Sequence, residues 1–254
     1  MSAEQKATYE GMLAETVRFP GDKGDLIYGY MARPLGVGPY PGVIVIHEVF
    51  GLVEHTKEVA RKFAAHGYIA VAPNLYSREN PADPDEMLVA VIRKNGGIPD
   101  SRVIGDLEGA ATVIRSIASA SGKIGCIGYC SGGRQTVLFA CNTKSLSAAV
   151  DCYGGRVVTD ELTPKQPKAV IDMIAGLNCP VLGLFGASDQ NPSPGHVARL
   201  EAELKKQKKE YEFKSYLPDT GHAFFADYRP SYRQTSAVDG WQRIFVFFGR
   251  YLAA

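Results

Sequence analysis

The sequence lacks the features of polyanion-binding, membrane-spanning and secreted proteins. Its 28 Lys and Arg residues nearly balance its 27 Asp and Glu residues, so the basic excess typical of a nucleic-acid binder is missing. No apolar run approaches the roughly 18 residues of a membrane span. The polar N-terminus also lacks the basic and apolar segments of a secretory signal. We therefore expect a soluble, cytoplasmic protein that binds neither nucleic acid nor membranes.

Disulfide bonds are not expected either. The five cysteines are odd in number and irregularly spaced in a chain of 254 residues, which is too long to need a disulfide scaffold. A content of 45% apolar residues supplies a core that needs no disulfide or metal for its stability. We interpret four of the cysteines as packed, reduced thiols: Cys126, Cys141, Cys152 and Cys179.

Strand and helix patterns alternate along the chain. An antiparallel pair is expected within the first forty residues, and the continuous apolar runs after it are typical of strands buried on both faces. These runs lie at 42–48, 68–74, 123–129, 147–155 and 179–189, with an alternating strand at 211–218. Helical patterns lie between and after them, at 55–66, 84–95, 101–118, 131–141, 196–209 and 241–252.

This alternation predicts an α/β fold with a mostly parallel sheet and helices on both faces. No internal repeat or flexible linker divides the chain, so we expect a single domain over 1–254, with 1–14 as an N-terminal extension. The chemistry of such sheets lies at the carboxyl ends of their strands. Candidate functional residues are therefore sought directly after each apolar run.

The sharpest motif is Gly-Tyr-Cys-Ser-Gly-Gly at 128–133, between a predicted strand and a predicted helix. It fits the G-x-S-x-G nucleophile elbow with Cys130 in the central position, whereas centring it on Ser131 would lose the first glycine. The glycines allow close backbone approach in a tight turn. The helix N-terminus favours a thiolate. The alternative is a glycine-rich turn that holds an inert cysteine.

An acid and a histidine follow the elbow in the order expected for this fold. Asp189 comes directly after a predicted strand, and His222 lies in a loop after the next one. Asp219 could replace Asp189 as the acid, although its position three residues before His222 is more typical of a turn. His47, at the end of its strand, remains a second candidate for the base.

Glu48 follows His47 at the same strand end, where its carboxylate would face the edge of the sheet that carries Cys130. The His-Glu pair could suggest the zinc motif H-E-x-x-H, but position 51 is glycine, so the second histidine ligand is absent. We therefore expect no metal and no other cofactor.

Together these motifs resemble the dienelactone hydrolase (carboxymethylenebutenolidase) family of α/β hydrolases. The resemblance covers roughly residues 15–252 and includes Asp189 at its strand end. Its other motifs are H-E-x-F-G at 47–51, A-P-N-L-Y at 72–76, G-Y-C-S-G-G at 128–133 and G-H-A-F at 221–224. It implies an α/β-hydrolase fold.

The resemblance also implies roles for individual residues. Cys130 would be the nucleophile, His222 the base and Asp189 the acid that orients it. Glu48 would interact with the thiol and help to generate the thiolate when substrate binds. The oxyanion hole would be formed by the backbone N–H groups of two residues, Val49 and Ser131.

The substrate-binding residues are less well defined. In the family, two arginines hold the substrate carboxylate, one of them four residues after the catalytic histidine, and this position is Ala226 here. Other side chains would have to supply the cation or line the pocket. The candidates are Arg78, Arg93, Arg134, Tyr153 and Arg229.

These observations predict a hydrolase of small activated esters or lactones, acting through a cysteine thiolate and an acyl-enzyme. The substrate is expected to be a small molecule that can be anionic, and the protein a monomer or small homo-oligomer. A cysteine peptidase or another acyl-transfer enzyme is one alternative. A relative that only binds a ligand or senses redox state through Cys130 is the other.

Overall fold

A computed structural model describes residues 11–79 and 86–253, with side chains from residue 89 onward in the second range. One sheet of eight strands crosses the molecule in the order β1-β2-β4-β3-β5-β6-β7-β8. The strands are β1 (Met12–Pro20), β2 (Leu26–Pro34), β3 (Tyr40–Ile46), β4 (Ile69–Pro73), β5 (Ala120–Tyr129), β6 (Ala148–Cys152), β7 (Val181–Gly186) and β8 (Tyr211–Tyr216). Pairs β1–β2 and β2–β4 are antiparallel, and the remaining neighbours are parallel.

The helices cover both faces of this sheet. They are α1 (Glu54–Ala65), α2 (Glu86–Lys94), α3 (Asp100–Ser116), α4 (Ser131–Asn142), α5 (Pro194–Lys206) and α6 (Gln234–Leu252), with 3₁₀ helices at Asp22–Gly24 and Val170–Gly176. Helices α3, α4 and α5 contribute to one apolar cluster, and α1 and α6 contribute to the other. The predicted α/β-hydrolase fold with an antiparallel start is confirmed.

Several element boundaries differ from the sequence prediction. Strand β1 begins at Met12, so 12–14 belong to the sheet and not to an extension, while residues 1–10 lie outside the described part. The first two residues of the helix predicted at 84–95 also lie outside it. Helix α6 begins seven residues earlier than expected and continues through Gly240. An added Cβ on Gly240 would lie 2.4 Å from the Phe225 ring, so the glycine lets the helix pack closely there.

The four cysteines outside the elbow are buried and carry free thiols, as predicted. Burial raises the pKa of Cys126, Cys141 and Cys179 to about 12, which keeps these thiols protonated and unreactive. None of the helices in the described ranges is long and apolar enough to cross a membrane.

Arg78, after β4, joins two parts of the fold. Its Nη1 and Nη2 donate to the carboxylate of Asp106 at 2.8 and 3.0 Å, and its Nε donates to Asp25 at 2.8 Å. Asp106 lies on α3, is fully buried and also accepts the Asp22 N–H at 2.8 Å. Arg78 therefore compensates a buried carboxylate and connects α3 to the β1–β2 turn.

Arg78→Gln should lower the free energy of unfolding by roughly 3–5 kcal/mol, because it leaves Asp106 buried without its cation. Urea denaturation measures this change. Arg243→Gln is the matched control, since it removes an arginine from an ion pair with Asp239 that is partly exposed and such pairs contribute little. A loss no larger than that of the control would contradict the structural role of Arg78.

Asp151 is a second buried carboxyl group, in the middle of β6. Its Oδ1 accepts the Gly154 N–H at 2.7 Å, whereas its buried Oδ2 has no hydrogen-bond partner among the described residues. Burial raises the pKa of Asp151 from 3.8 to about 7, although the Gly154 hydrogen bond opposes this shift. The folded protein thus binds the proton of the Asp151 carboxyl group more tightly than the unfolded chain does. The contribution of this bound proton to the free energy of unfolding is complete below pH 3.8 and is lost as the pH rises to about 7.

Asp151→Asn should therefore gain stability relative to the wild type as the pH rises. The amide can still accept the Gly154 N–H but cannot ionise. The difference in unfolding free energy should move in favour of the variant by roughly 3 kcal/mol between about pH 4.5 and pH 8. Denaturant unfolding across that range measures it, and a pH-independent difference would show that Asp151 does not titrate as described.

Candidate active site

Cys130 occupies a strained turn between β5 and α4. Its φ of 56° and ψ of −119° place a non-glycine residue in a left-handed conformation that is costly unless the surroundings enforce it. Its N–H donates to the Cys152 carbonyl at 3.0 Å. A Cβ on Gly128 would lie 2.1 Å from the Gly132 oxygen, and one on Gly132 would lie 2.5 Å from the Ile46 oxygen. Both glycines are therefore required by backbone contacts, and the turn has the geometry of a nucleophile elbow.

The structure brings together the predicted base and acid. His222 lies in the loop after β8, and its Nδ1 is 2.7 Å from Oδ2 of Asp189, which is buried just beyond β7. The other carboxylate oxygen, Oδ1, accepts the Asn191 N–H at 2.8 Å. Tyr153 packs edge-on against the His222 ring, with the ring centres 5.1 Å apart. The imidazole is thus held by a hydrogen bond on one side and by an aromatic ring on the other.

The charge on His222 depends on these contacts. Burial alone would lower the pKa of His222, but the hydrogen bond to Asp189 and the interaction with Cys130 outweigh it and raise this pKa to about 10. A protonated imidazole at this position stabilises negative charge on the adjacent sulfur. The arrangement can therefore support a thiolate–imidazolium pair.

Glu48 lies close to this group but is paired with a different residue. Its Oε2 is 3.0 Å from Nη2 of Arg229, while its buried Oε1 has no hydrogen-bond partner in the described ranges. Burial raises the pKa of Glu48, whereas the positive charges of Arg229 and His222 lower it. Arg229 itself is stacked on Phe50, with 4.5 Å from Cζ to the ring centre. No hydrogen bond between Glu48 and the Cys130 thiol is present in the described part of the chain.

Both ring nitrogens of His47 contact the backbone. Its Nδ1 is 2.6 Å from the Glu48 carbonyl, and its Nε2 accepts the Leu75 N–H at 3.2 Å. The second contact requires an unprotonated Nε2, so the proton lies on Nδ1. Burial lowers the pKa of His47 to about 4, which keeps the ring neutral. Both nitrogens are engaged, so the choice between the two histidines falls to His222.

The two residues expected to form the oxyanion hole, Val49 and Ser131, both line the cleft that contains Cys130. The hydroxyl of Tyr76 donates to the Val49 carbonyl at 3.0 Å, which fixes the peptide between Val49 and Phe50. The Ser131 hydroxyl is buried and has no partner among the described residues.

This cleft has a volume of about 820 Å³, which is within the range of small-molecule sites. Of the predicted substrate-binding residues, Arg93 and Arg134 line it, whereas Arg78, Tyr153 and Arg229 do not. The structure thus corrects the prediction for Arg78, whose guanidinium is used by Asp106 and Asp25, and for Tyr153, which is fully buried.

Arg134 is also paired with a carboxylate of the protein itself. Its Nη1 and Nη2 donate to the two oxygens of Asp100 at 2.8 and 3.0 Å, and both side chains are buried. Releasing this guanidinium to a substrate would leave Asp100 as an uncompensated buried charge. Arg134 thus lines the cleft with two of its guanidinium nitrogens paired with Asp100, and its role in binding an anion stays a prediction.

The sequence analysis missed part of the cleft wall. Arg156, Glu161, Gln166 and Asn191 line the cleft but lie in segments without periodic patterns, outside the helices and strands. One signal could have drawn attention to them. The glycine pair at 154–155 begins two residues after the end of β6, at the sheet edge where functional residues are expected.

Comparison with known proteins agrees with this geometry. The sequence profile of the Dienelactone hydrolase family matches residues 27–252. A Methylorubrum extorquens protein named Putative carboxymethylenebutenolidase is 38% identical over 95% of this chain and 82% of its own length. A solved Klebsiella pneumoniae chain named Putative Dienelactone Hydrolase is 36% identical, with a TM-score of 0.87 over 95% of this chain and all of its own.

More distant similarities concern the fold alone. An acylaminoacyl peptidase of Pyrococcus horikoshii has a TM-score of 0.73 at 15% identity, over 95% of this chain and 42% of its own. The profile match and the two relatives with more than 35% identity are decisive. This chain belongs to the dienelactone hydrolase family and is a carboxylic ester hydrolase.

Proposed function

We propose that the enzyme hydrolyses small activated esters or lactones through a covalent acyl-enzyme on Cys130. One observation carries this proposal: the strained elbow, with Cys130 interacting with the His222–Asp189 pair, opens into the same cleft. A cysteine held in that conformation next to an imidazole oriented by an acid is the arrangement that nucleophilic catalysis requires.

The proposed reaction has two steps. The Cys130 thiolate attacks the ester carbonyl, and the carbonyl electron pair moves to oxygen, where the Val49 and Ser131 N–H groups stabilise it. The intermediate collapses, the C–O bond breaks, and the alcohol or enol leaves with a proton from His222. His222 then removes a proton from water, which attacks the thioester and releases the acid and the thiolate.

In our proposal, Glu48 and Arg229 control when the Cys130 thiol loses its proton. The ion pair with Arg229 holds Glu48 as a carboxylate. A substrate that binds beside Val49, the next residue, and weakens this ion pair would remove this stabilisation from a buried carboxylate. Glu48 would then take the thiol proton, and the thiolate would form when substrate is bound.

The leaving group favours esters over peptides in this proposal. In a tetrahedral intermediate, a thiolate is expelled more readily than an amine, so an amide substrate would return to the starting state. The similarity to the peptidase is in the fold alone. We also infer a single domain, because one eight-stranded sheet runs through the described part of the chain. We infer a cytoplasmic location, because all five cysteines are free thiols.

Cys130→Ala should reduce the hydrolysis of an enol lactone or a 4-nitrophenyl ester by roughly 10⁴-fold or more, as expected for loss of a nucleophile.

Iodoacetamide should inactivate the wild type with loss of one reactive thiol. Cys141→Ala, which removes a buried thiol, is the matched control and should still be inactivated. Retained turnover in Cys130→Ala would rule out the acyl-enzyme, and faster turnover of peptide amides than of esters would favour the peptidase.

Arg229→Gln should move the acidic limb of the pH profile of kcat/KM to higher pH by about one unit or more, measured with an uncharged ester. The reason is that Glu48 would keep its burial but lose its cation, so the pKa of Glu48 would rise further. Glu48→Gln should remove that limb, and Arg243→Gln serves as a distant control. An identical profile in all variants would exclude Glu48 from thiolate formation.

A further inference from the structure

Strand β8 leaves one edge of the sheet open. It is the last strand of the sheet, and among the described strands it pairs with β7 alone. The carbonyls of Glu210 and Tyr216 accept hydrogen bonds from N–H groups at the two ends of β7. Because backbone groups alternate in direction along a strand, those of Tyr211, Phe213 and Ser215 point away from β7. Their N–H and C=O groups form an edge that can pair with another strand.

The side chains of β8 that face α6 carry opposite charges two residues apart. Glu212 forms an ion pair with Arg250 of α6, and Lys214 lies over the Tyr216 ring, with 5.5 Å from Nζ to the ring centre. Residues two apart in a strand share one face of the sheet. Neither Glu212 nor Lys214 is buried. One charge of each sign is therefore accessible on the same face of the open edge.

This spacing makes β8 complementary to a second copy of itself. In an antiparallel pair of β8 strands related by a twofold axis through Phe213, Glu212 of one copy lies directly opposite Lys214 of the other. In the same register Tyr211 lies opposite Ser215, and Phe213 lies opposite its own copy. Each residue with free backbone groups thus faces another such residue. Paired opposite charges and paired aromatic rings both stabilise neighbouring antiparallel strands.

The other edge of the sheet lacks this complementarity. Strand β1 carries Glu15 and Arg18, which are three residues apart, so their side chains point to opposite faces of the sheet. In an antiparallel pair of β1 strands, Glu15 therefore cannot lie directly opposite Arg18. Strand β1 also ends at Pro20, which has no N–H to donate. Self-complementarity thus distinguishes β8 from β1.

Apolar side chains extend the surface beside the β8 edge. Leu217, the residue after β8, is 77% exposed, and Val246 of α6 is 64% exposed. Val246 lies four residues before Arg250, on the face of α6 that reaches β8. On the opposite face of the sheet, Phe213 is only partly buried. A second copy seated on β8 would cover part of these side chains, which favours association.

We propose that β8 is a homodimer interface at which two copies of this chain pair antiparallel about Phe213, so that their sheets continue as one. Backbone hydrogen bonds along the edge hold the two strands together. The two contacts between Glu212 of one copy and Lys214 of the other set the register. Residues 211–216 do not line the cleft that contains Cys130, so this interface does not depend on the proposed ester hydrolysis.

Charge reversal tests the register. Sedimentation velocity at micromolar protein concentrations should show a dimer of the wild type. Glu212→Lys and Lys214→Glu should each raise the Kd of the dimer about tenfold or more, because like charges would then lie opposite each other at both contacts. The double variant Glu212→Lys/Lys214→Glu should return the Kd close to the wild-type value. A mixture of the two single variants should form heterodimers, since their charges are complementary.

The matched control is Glu15→Lys, which reverses a charge on the other edge of the sheet and should leave the Kd unchanged. Turnover of a 4-nitrophenyl ester reports folding of every variant, because residues 212 and 214 lie outside the cleft. A wild type that stays monomeric would overturn the interface. So would single variants that dimerise as tightly as the wild type, or a double variant that dimerises no more tightly than the single ones.

Discussion

The close approach of backbone at the elbow is the constraint on which the site depends. Gly132, in the first turn of α4, lies against the carbonyls that end β3, so closely that a Cβ would be 2.5 Å from the Ile46 oxygen and 2.7 Å from the His47 oxygen. Strands β3 and β5 are parallel neighbours. This contact therefore places Cys130 beside the segment that carries Glu48 and Val49. A side chain at 132 would separate the nucleophile from both.

Burial of the acidic partner decides what each arginine near the site can do. Asp106 and Asp100 are buried, so Arg78 and Arg134 are structural cations that must remain where they are. Glu48 is buried too, but one of its oxygens has no partner among the described residues, so Arg229 holds it incompletely. The partner of Arg156 is the exposed Glu161, so their ion pair contributes little. Burial of the partner thus determines how firmly each arginine is held.

The sequence was informative where the relevant interactions are local. Continuous apolar runs predicted the buried strands, and the spacing of the glycines predicted the elbow at Cys130. The acid and the histidine could be located because each follows a strand whose end lies at the same sheet edge. The arginines could not be assigned in this way, since Arg78 and Arg134 bind carboxylates 28 and 34 residues away. Both carboxylates lie on α3, so the partners are set by the packing of α3 against distant segments, which no local pattern reports.

The two carboxylates near Cys130 differ in a way that separates their roles. Both oxygens of Asp189 accept hydrogen bonds, from Asn191 and from His222, so its position is fixed and it can only orient the imidazole. Within the described residues, Glu48 has one cation and one oxygen without a partner, and burial raises its pKa, so its affinity for a proton rises when the ion pair with Arg229 is weakened. In the proposed reaction Asp189, whose position is fixed, therefore keeps the imidazole of His222 oriented as the base. Glu48, which is poorly compensated, makes thiolate formation depend on the substrate, because the proton affinity of its carboxylate rises when substrate binding weakens the ion pair with Arg229.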